Sequence, residues 1–260
     1  WKAAALRKAC GWVDGELEML PIGDLAIHQL EVEPAPIASS EGTVRFIDEE
    51  TQAEGCVLLI DNLDSFTLNI AHAIAGLGRE VLIYKARDGT SDLNWNEEAC
   101  VEFVRRFQPT HIVLGPGPGE PTDSPLTMGL AHSALSGKVS IPILGICLGH
   151  QALGMAAGMK LMQSPNGPVH GAPRTCLHNQ TGIFSTLQSP ATFTRYNSLS
   201  IASMEDGPYM ETAHEADTKM VMGIQHPNAH IHGIQFHPES VGSKEGLELL
   251  KNFLALEADD

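Results

Sequence analysis

From Cys56 onward, short apolar runs alternate with segments of helical spacing, and this alternation restricts the fold more than any other feature of the chain. "CVLLID" (56–61), "EVLIYK" (80–85), "THIVLG" (110–115) and "IPILGI" (141–146) read as buried strands. Between the first two, "DSFTLNIAHAIAGLG" sets Phe66, Ile70, Ile74 and Leu77 at helical spacing. Asp64 or Ser65 can cap its start and Gly78 can close it. "NEEACVEFVRRF" (96–107) and "SPLTMGLAHSAL" (124–135) read as two further helices. Strands joined through helices must run parallel, which predicts an α/β fold: an open, mostly parallel sheet with helices on both faces. In such sheets ligands bind beyond the carboxyl ends of the strands. Three loops leave that edge: "DNLD" (61–64), "GPGPGEP" (115–121) and the turn at Cys147.

The flanking segments differ in texture. Beyond about residue 160, "VHGAPRTCLH", "TFTRYNSLSI", "TKMVMGIQH" and "HIHGIQFHPES" read as shorter strands, so the C-terminal half carries β-rich additions. "SKEGLELLKNFLALE" (243–257) reads as a closing helix. Residues 1–55 open with a helical stretch (1–20), then Pro21, Pro34 and Pro36, then an acidic, turn-rich run. That is the texture of an extension, a linker or an arm lying on another surface, so the chain divides into 1–55 and a domain over 56–260.

Charge narrows the partners. Sixteen basic against thirty-two acidic residues leave a net charge of -16, which repels phosphate backbones and anionic lipid. Neither nucleic acid nor a membrane is therefore expected as a partner. No stretch has the roughly 20 apolar residues of a membrane span. Five scattered cysteines form neither a disulfide framework nor a zinc motif, consistent with a reduced, cytoplasmic setting.

One cysteine differs from the rest. Gly145-Ile146-Cys147-Leu148-Gly149 has the form G-x-C-x-G, the thiol counterpart of a nucleophile elbow. A sharp strand-to-helix turn exposes the side chain, the glycines remove Cβ clashes, and the helix N-terminus favours the thiolate. A thiolate nucleophile needs a base, and the base needs a group to orient it. "QFHPES" offers both: His237 and Glu239 lie two residues apart, on one side of an extended segment. His226, His230 and His232 in "HPNAHIHG" could suggest a metal site, but no second ligand cluster accompanies them, and they read as loop and strand residues.

Taken in order, "GPGPGEP", "GICLGHQ" and "GIQFHPES" resemble the class I glutamine amidotransferases over residues 56–256. "LLIDNLDSFT" and "TRYNSL" are similar to the subgroup that serves chorismate-using synthases: anthranilate, aminodeoxychorismate and aminodeoxyisochorismate synthase. The resemblance implies a Cys147–His237–Glu239 triad that hydrolyses L-glutamine and delivers ammonia to the synthase. It implies an oxyanion hole at the amides of Gly117 and Leu148, and glutamine binding by Gly117, Pro118, Gly119, Leu148, Gln151, Ser198 and Leu199. It implies no cofactor in this domain, with Mg²⁺ only in the partner synthase. His170-Gly171 matches an element near the partner interface. The sequence departs from the family at Asn197, where histidine is frequent.

The partner is expected to be a chorismate-binding synthase, as a subunit or in the same polypeptide. The absence of an initial Met and the unassigned 1–55 favour fusion, with 1–55 as the end of a synthase domain. Three other readings stand beside this one: an amidotransferase of another biosynthetic enzyme, a stand-alone γ-glutamyl hydrolase, and a non-catalytic assembly subunit.

Overall fold

The computed structural model describes residues 42–47, 51, 55–87 and 94–258. The helix expected over 1–20 lies outside them.

The expected alternation is realised. Strands β2 (Val57–Asp61), β3 (Val81–Lys85), β4 (His111–Leu114) and β5 (Ile143–Ile146) are separated by helices α1 (Thr67–Ala75), α2 (Glu97–Phe107) and α3 (Pro125–Leu135). Helix α4 (Leu148–Ala156) follows β5 directly. β1 (Val44–Phe46) falls within the stretch read as an extension or arm, and pairs with β3 as an added parallel edge strand.

The C-terminal half contributes β6 (Leu161–Gln163), β7 (Ala172–His178), β8 (Ala191–Arg195), β9 (Leu199–Ile201), β10 (Met210–Glu215), β11 (Val221–Gln225) and β12 (Ile231–Ile234), closed by α5 (Gly246–Leu254). Ten strands form one sheet in the order β1-β3-β2-β4-β5-β12-β11-β10-β7-β8, and β6 pairs with β9 apart from it. The first six strands are parallel and the last four connections antiparallel. Most of the β-rich additions thus extend the main sheet. "TFTRYNSLSI" does not form one strand. It breaks at Tyr196–Ser198 and sends β8 and β9 into different sheets.

Side-chain alternation explains the layers. Val57, Leu59, Val81 and Ile83 face one side and pack with Ile70 and Ile74 of α1 and with Leu249, Leu250 and Phe253 of α5. Leu58, Ile60, Leu82, Ile112 and Leu114 face the other, against α2, α3 and α4. Every residue of β2 is buried, and each such aliphatic side chain contributes roughly 1.5–3 kcal/mol over an exposed one. Asn96 caps α2 by accepting from the Ala99 amide at 2.9 Å. The cap expected for α1 takes a different form. Asp64 accepts from the Phe66 amide at 2.8 Å, one residue ahead of the helix, while Asp61 holds the Leu63 and Asp64 amides and the Thr67 hydroxyl. The loop before α1 is therefore fixed by two aspartates before the helix begins.

Candidate active site

β5 and β12 run parallel with Ile146 opposite Ile234, so the residues after both strands emerge at the same sheet edge. Cys147 leaves β5 with its amide donating to the Ile234 carbonyl at 2.8 Å. Its φ is 54° and its ψ −99°, a conformation that costs an L-residue roughly 1–3 kcal/mol and that the surrounding structure must impose. The imposing contacts come from the two glycines. A Cβ on Gly145 would meet Gly149 and the His150 amide at 2.6–2.7 Å, and one on Gly149 would lie 2.1 Å from the Leu114 carbonyl oxygen. Only glycine lets α4 approach β4 and β5 this closely. Cys147 stands at the N-cap of α4, at the end of the helix where the first backbone N–H groups have no intrahelical partner.

His237 enters through an antiparallel bridge. Its amide donates to the Thr194 carbonyl at 2.9 Å, and its own carbonyl accepts from the Ser243 hydroxyl at 2.6 Å. Its Nδ1 lies 2.7 Å from Glu239 Oε1, both side chains being buried. The pair meets in a turn around Pro238, because β12 ends at Ile234, and not along extended backbone. Burial alone would push the imidazole pKa down. Interactions with Cys147 and with the Glu239 carboxylate outweigh it and hold the pKa well above the ordinary histidine value. Cys147, His237 and Glu239 are thus brought together, and the surroundings of the imidazole raise its affinity for a proton.

The other described cysteines contrast with this one. Burial pushes the Cys56 and Cys100 thiols up to about 11 and Cys176 to about 12, so each stays protonated. Among the described residues, no group of three or more His, Cys, Asp or Glu could hold a metal ion. His232 sits in β12, where burial lowers its pKa to about 4.

Loop 115–121 leaves β4 beside the elbow. A Cβ on Gly117 would lie 2.6 Å from Asn62, and Gly119 has φ 77°, so both positions require glycine. Asn62, from "DNLD", donates to the Gly115 carbonyl at 2.9 Å and accepts from the Ser124 and Thr127 hydroxyls. Arg87 donates to the Pro118 carbonyl at 2.7 Å and the Glu120 carbonyl at 3.2 Å. On the other side, Gln151 of α4 donates to the Leu199 carbonyl at 2.8 Å, tying Ser198-Leu199 to the helix that follows Cys147. Phe66 and Tyr196 complete a wall around His237, with ring centroids 5.7 and 5.0 Å from the imidazole. The sequence marks the "DNLD" and "TRYNSL" loops but not Asn62 or Tyr196 within them; it marks Phe66 only as a helix-spacing residue and gives no sign of Arg87.

The arrangement of a strained thiol, a buried His–Glu pair and glycine loops converging on one sheet edge suits acyl transfer through a covalent thioester. Comparison with known proteins agrees. Residues 58–256 match the family model described as glutamine amidotransferase class-I. The chain belongs to the class-I glutamine amidotransferases. The anthranilate synthase component 2 of Azospirillum brasilense is 36% identical over 198 residues, covering 76% of this chain and 94% of that protein. The aminodeoxychorismate synthase component 2 of Serratia marcescens is 38% identical over 202 residues, covering 76% and 98%. The bifunctional protein TrpGD of Thermotoga maritima is 38% identical over 201 residues, which is 77% of this chain but only 32% of that longer protein. Among solved structures, a glutamine amidotransferase from Thermotoga maritima shares the fold with a TM-score of 0.57 at 16% identity, covering 77% of this chain and 96% of that one. No helix among the described residues is long and apolar enough to cross a membrane.

Proposed function

We propose that this amidotransferase hydrolyses L-glutamine at Cys147 and hands the ammonia to a chorismate-aminating synthase. The Cys147 sulfur attacks the side-chain carbonyl carbon, the carbon–nitrogen bond breaks, and the departing nitrogen takes the proton of His237. Water then attacks the thioester carbon, gives its proton to His237, and releases glutamate with the thiolate restored. Glu239 orients the imidazole and stabilises its charged form. The amides of Leu148 and Gly117 receive the tetrahedral oxyanion, where one such donor is typically worth about 100- to 1000-fold. Gln151, Ser198 and Leu199, with loop 117–119, hold the glutamine. The observation that carries this reading is the buried His237–Glu239 pair at 2.7 Å serving a thiol fixed at φ 54°.

Ammonia is mostly protonated and unreactive at neutral pH, which is the physical reason for passing it directly to a partner. The names of the relatives, components of anthranilate and aminodeoxychorismate synthases, support chorismate as the partner's substrate, and the bifunctional relative supports fusion as one mode of pairing. In this reading residues 56–260 form the amidotransferase domain, whose sheet is extended by β1 (Val44–Phe46), with 1–55 otherwise an extension or the end of a fused synthase. Mg²⁺ belongs to the synthase and not to this domain.

The test is ammonia release from L-glutamine by the purified chain, with and without an anthranilate or aminodeoxychorismate synthase component 1 and chorismate. Activity stimulated by the synthase, with the aminated product formed, is the expected result. Activity indifferent to every synthase would point to a stand-alone hydrolase, and none under any condition would point to an assembly subunit.

A second prediction concerns the oxyanion loop. Arg87→Met removes the donors to the Pro118 and Glu120 carbonyls. Bonds to a charged group are worth roughly 1.5–3 kcal/mol each, so the glutaminase kcat is expected to fall about tenfold or more. An unchanged kcat would mean that the loop holds its shape through Asn62 alone.

A further inference from the structure

Asn197, the position that departs from the family's frequent histidine, lies in a chain of buried polar groups that ends at Gln151. Glu215 accepts from Arg195 Nη1 at 2.7 Å, and Arg195 Nε donates to Asn197 Oδ1 at 2.9 Å. Asn197 Nδ2 donates to the Leu199 carbonyl at 2.8 Å and to the Ser164 hydroxyl at 3.0 Å. The same Leu199 carbonyl accepts from Gln151 Nε2, which also reaches Gln235 Oε1 at 3.1 Å. Arg195, Asn197, Glu215, Gln151 and Gln235 are all nearly or wholly buried.

Each amide in this chain has its orientation settled by chemistry. A guanidinium only donates and a backbone carbonyl only accepts, so Asn197 must turn its oxygen to Arg195 and its nitrogen to Leu199. Gln151 must likewise turn its nitrogen to Leu199, and with a second bond to Gln235 both its N–H groups are committed. Its oxygen is then the atom left for a ligand, an acceptor suited to an ammonium group. Gln235 makes this arrangement at its own expense, because its Nε2 is buried with no partner among the described residues. A buried amide with an unsatisfied donor is unfavourable for the fold, which argues against a purely structural role.

We propose that Gln235 and Asn197 are positioning residues that lock the Gln151 amide and the Leu199 backbone in the orientation that receives the α-ammonium and α-carboxylate of glutamine. Neither residue touches the substrate. Both act through the shared Leu199–Gln151 contact. The inference rests on the proposed glutaminase reading, in which Gln151, Ser198 and Leu199 bind the substrate.

The test compares steady-state glutamine hydrolysis and thermal melting for the wild type, Gln235→Met, Asn197→Ala, the double variant and Asn197→His. Methionine matches glutamine in length but removes both the acceptor and the unsatisfied donor. Gln235→Met is therefore expected to raise KM about tenfold, with kcat within about threefold, a loss of binding shared by ground and transition states. Its Tm should stay equal to the wild type or rise. Asn197→Ala should raise KM similarly. The double variant should fall short of the product of the two effects, because both remove the same constraint. Histidine can accept from Arg195 on one ring nitrogen and donate to Leu199 from the other, so Asn197→His should restore most of the wild-type KM. The inference is overturned if Gln235→Met leaves KM unchanged, or if KM rises only together with a lower Tm and a proportionate loss of kcat. A wild type that hydrolyses no glutamine would sink the glutaminase reading itself, whereas an active wild type with unaltered variants sinks this inference alone.

Discussion

Cys147→Ala is expected to lower the release of ammonia from glutamine by at least about 10⁴-fold while leaving the fold intact, since removing a triad nucleophile elsewhere costs up to about 10⁶ in kcat. The substitution deletes one sulfur atom and keeps the Cβ, so the contacts of Gly145 and Gly149 with their neighbours are unchanged. Among the described residues, no other thiol is placed to take over. The Cys56, Cys100 and Cys176 thiols are buried, with pKa values raised to about 11–12. Cys147→Ser should be similarly inactive, because a hydroxyl is far less ready than a thiol to ionise beside an imidazolium. The measurement is coupled detection of ammonia, with a melting curve beside it. Retention of activity within tenfold in a variant with a wild-type Tm would mean that Cys147 is not the nucleophile.

Why the thiol and its His–Glu pair could be singled out in the sequence, and Asn62, Arg87 and Gln235 could not, has a physical explanation. The elbow is a local device. Gly145, Cys147 and Gly149 fall within five residues, and the steric demand that selects the glycines acts over that same distance. His237 and Glu239 likewise meet through a two-residue turn. The parallel half of the sheet is legible because its strands are buried on both faces and therefore read as unbroken apolar runs. β6 and β10 lack that signal. Each is short or exposed on one face, with Met162 and Met210 in solvent where an inward pattern would require polar residues. Asn62, Arg87 and Gln235 act across long stretches of chain, Asn62 on Ser124 and Thr127, Arg87 on Pro118, Gln235 on Gln151. Asn62 and Gln235 fall inside recognisable motifs, but nothing in the sequence shows which distant residue each one holds, and nothing near Arg87 marks it at all. The α1 cap failed for a related reason: Asp61 and Asp64 organise the loop ahead of the helix, and Phe66 takes the cap position without a side-chain bond.

The antiparallel extension has a role that its sequence pattern does not reveal. β12 is the junction at which the sheet changes from parallel to antiparallel, pairing with β5 on one side and β11 on the other. The parallel pairing brings residues 235–239 to the edge where Cys147 emerges. The break between β8 and β9 brings Tyr196–Leu199 to the same place, anchored through the Thr194–His237 bridge and through Gln151. Cys147, the proposed nucleophile, comes from the parallel half, and His237, its proposed base, from the segment after the junction. The additions to the fold therefore complete the site.

This division makes the proton on His237 sensitive to one side chain. Burial lowers the affinity of the imidazole for a proton, and the Glu239 carboxylate and Cys147 together raise it by more, so the imidazolium persists above the ordinary histidine range. Glu239→Gln removes the negative charge and keeps the size. The burial penalty then meets less opposition, the pKa falls, and the imidazolium needed by the departing ammonia is lost at lower pH. The alkaline limb of kcat should move down in pH, and kcat at neutral pH should fall by about 10²–10⁴-fold, the range set by losing the acid that orients a triad histidine. The amide can also offer an N–H to Nδ1, which favours the wrong tautomer and adds to the loss. Glu239→Asp keeps the charge with a shorter reach, so it should lose rate with a smaller displacement of the limb. The profile is measured as kcat for glutamine hydrolysis between about pH 6 and 10, a range that spans the ordinary and the raised histidine values. A Gln variant whose limb stays in place and whose kcat remains within threefold would show that Glu239 does not govern the imidazole, and the triad would reduce to Cys147 and His237.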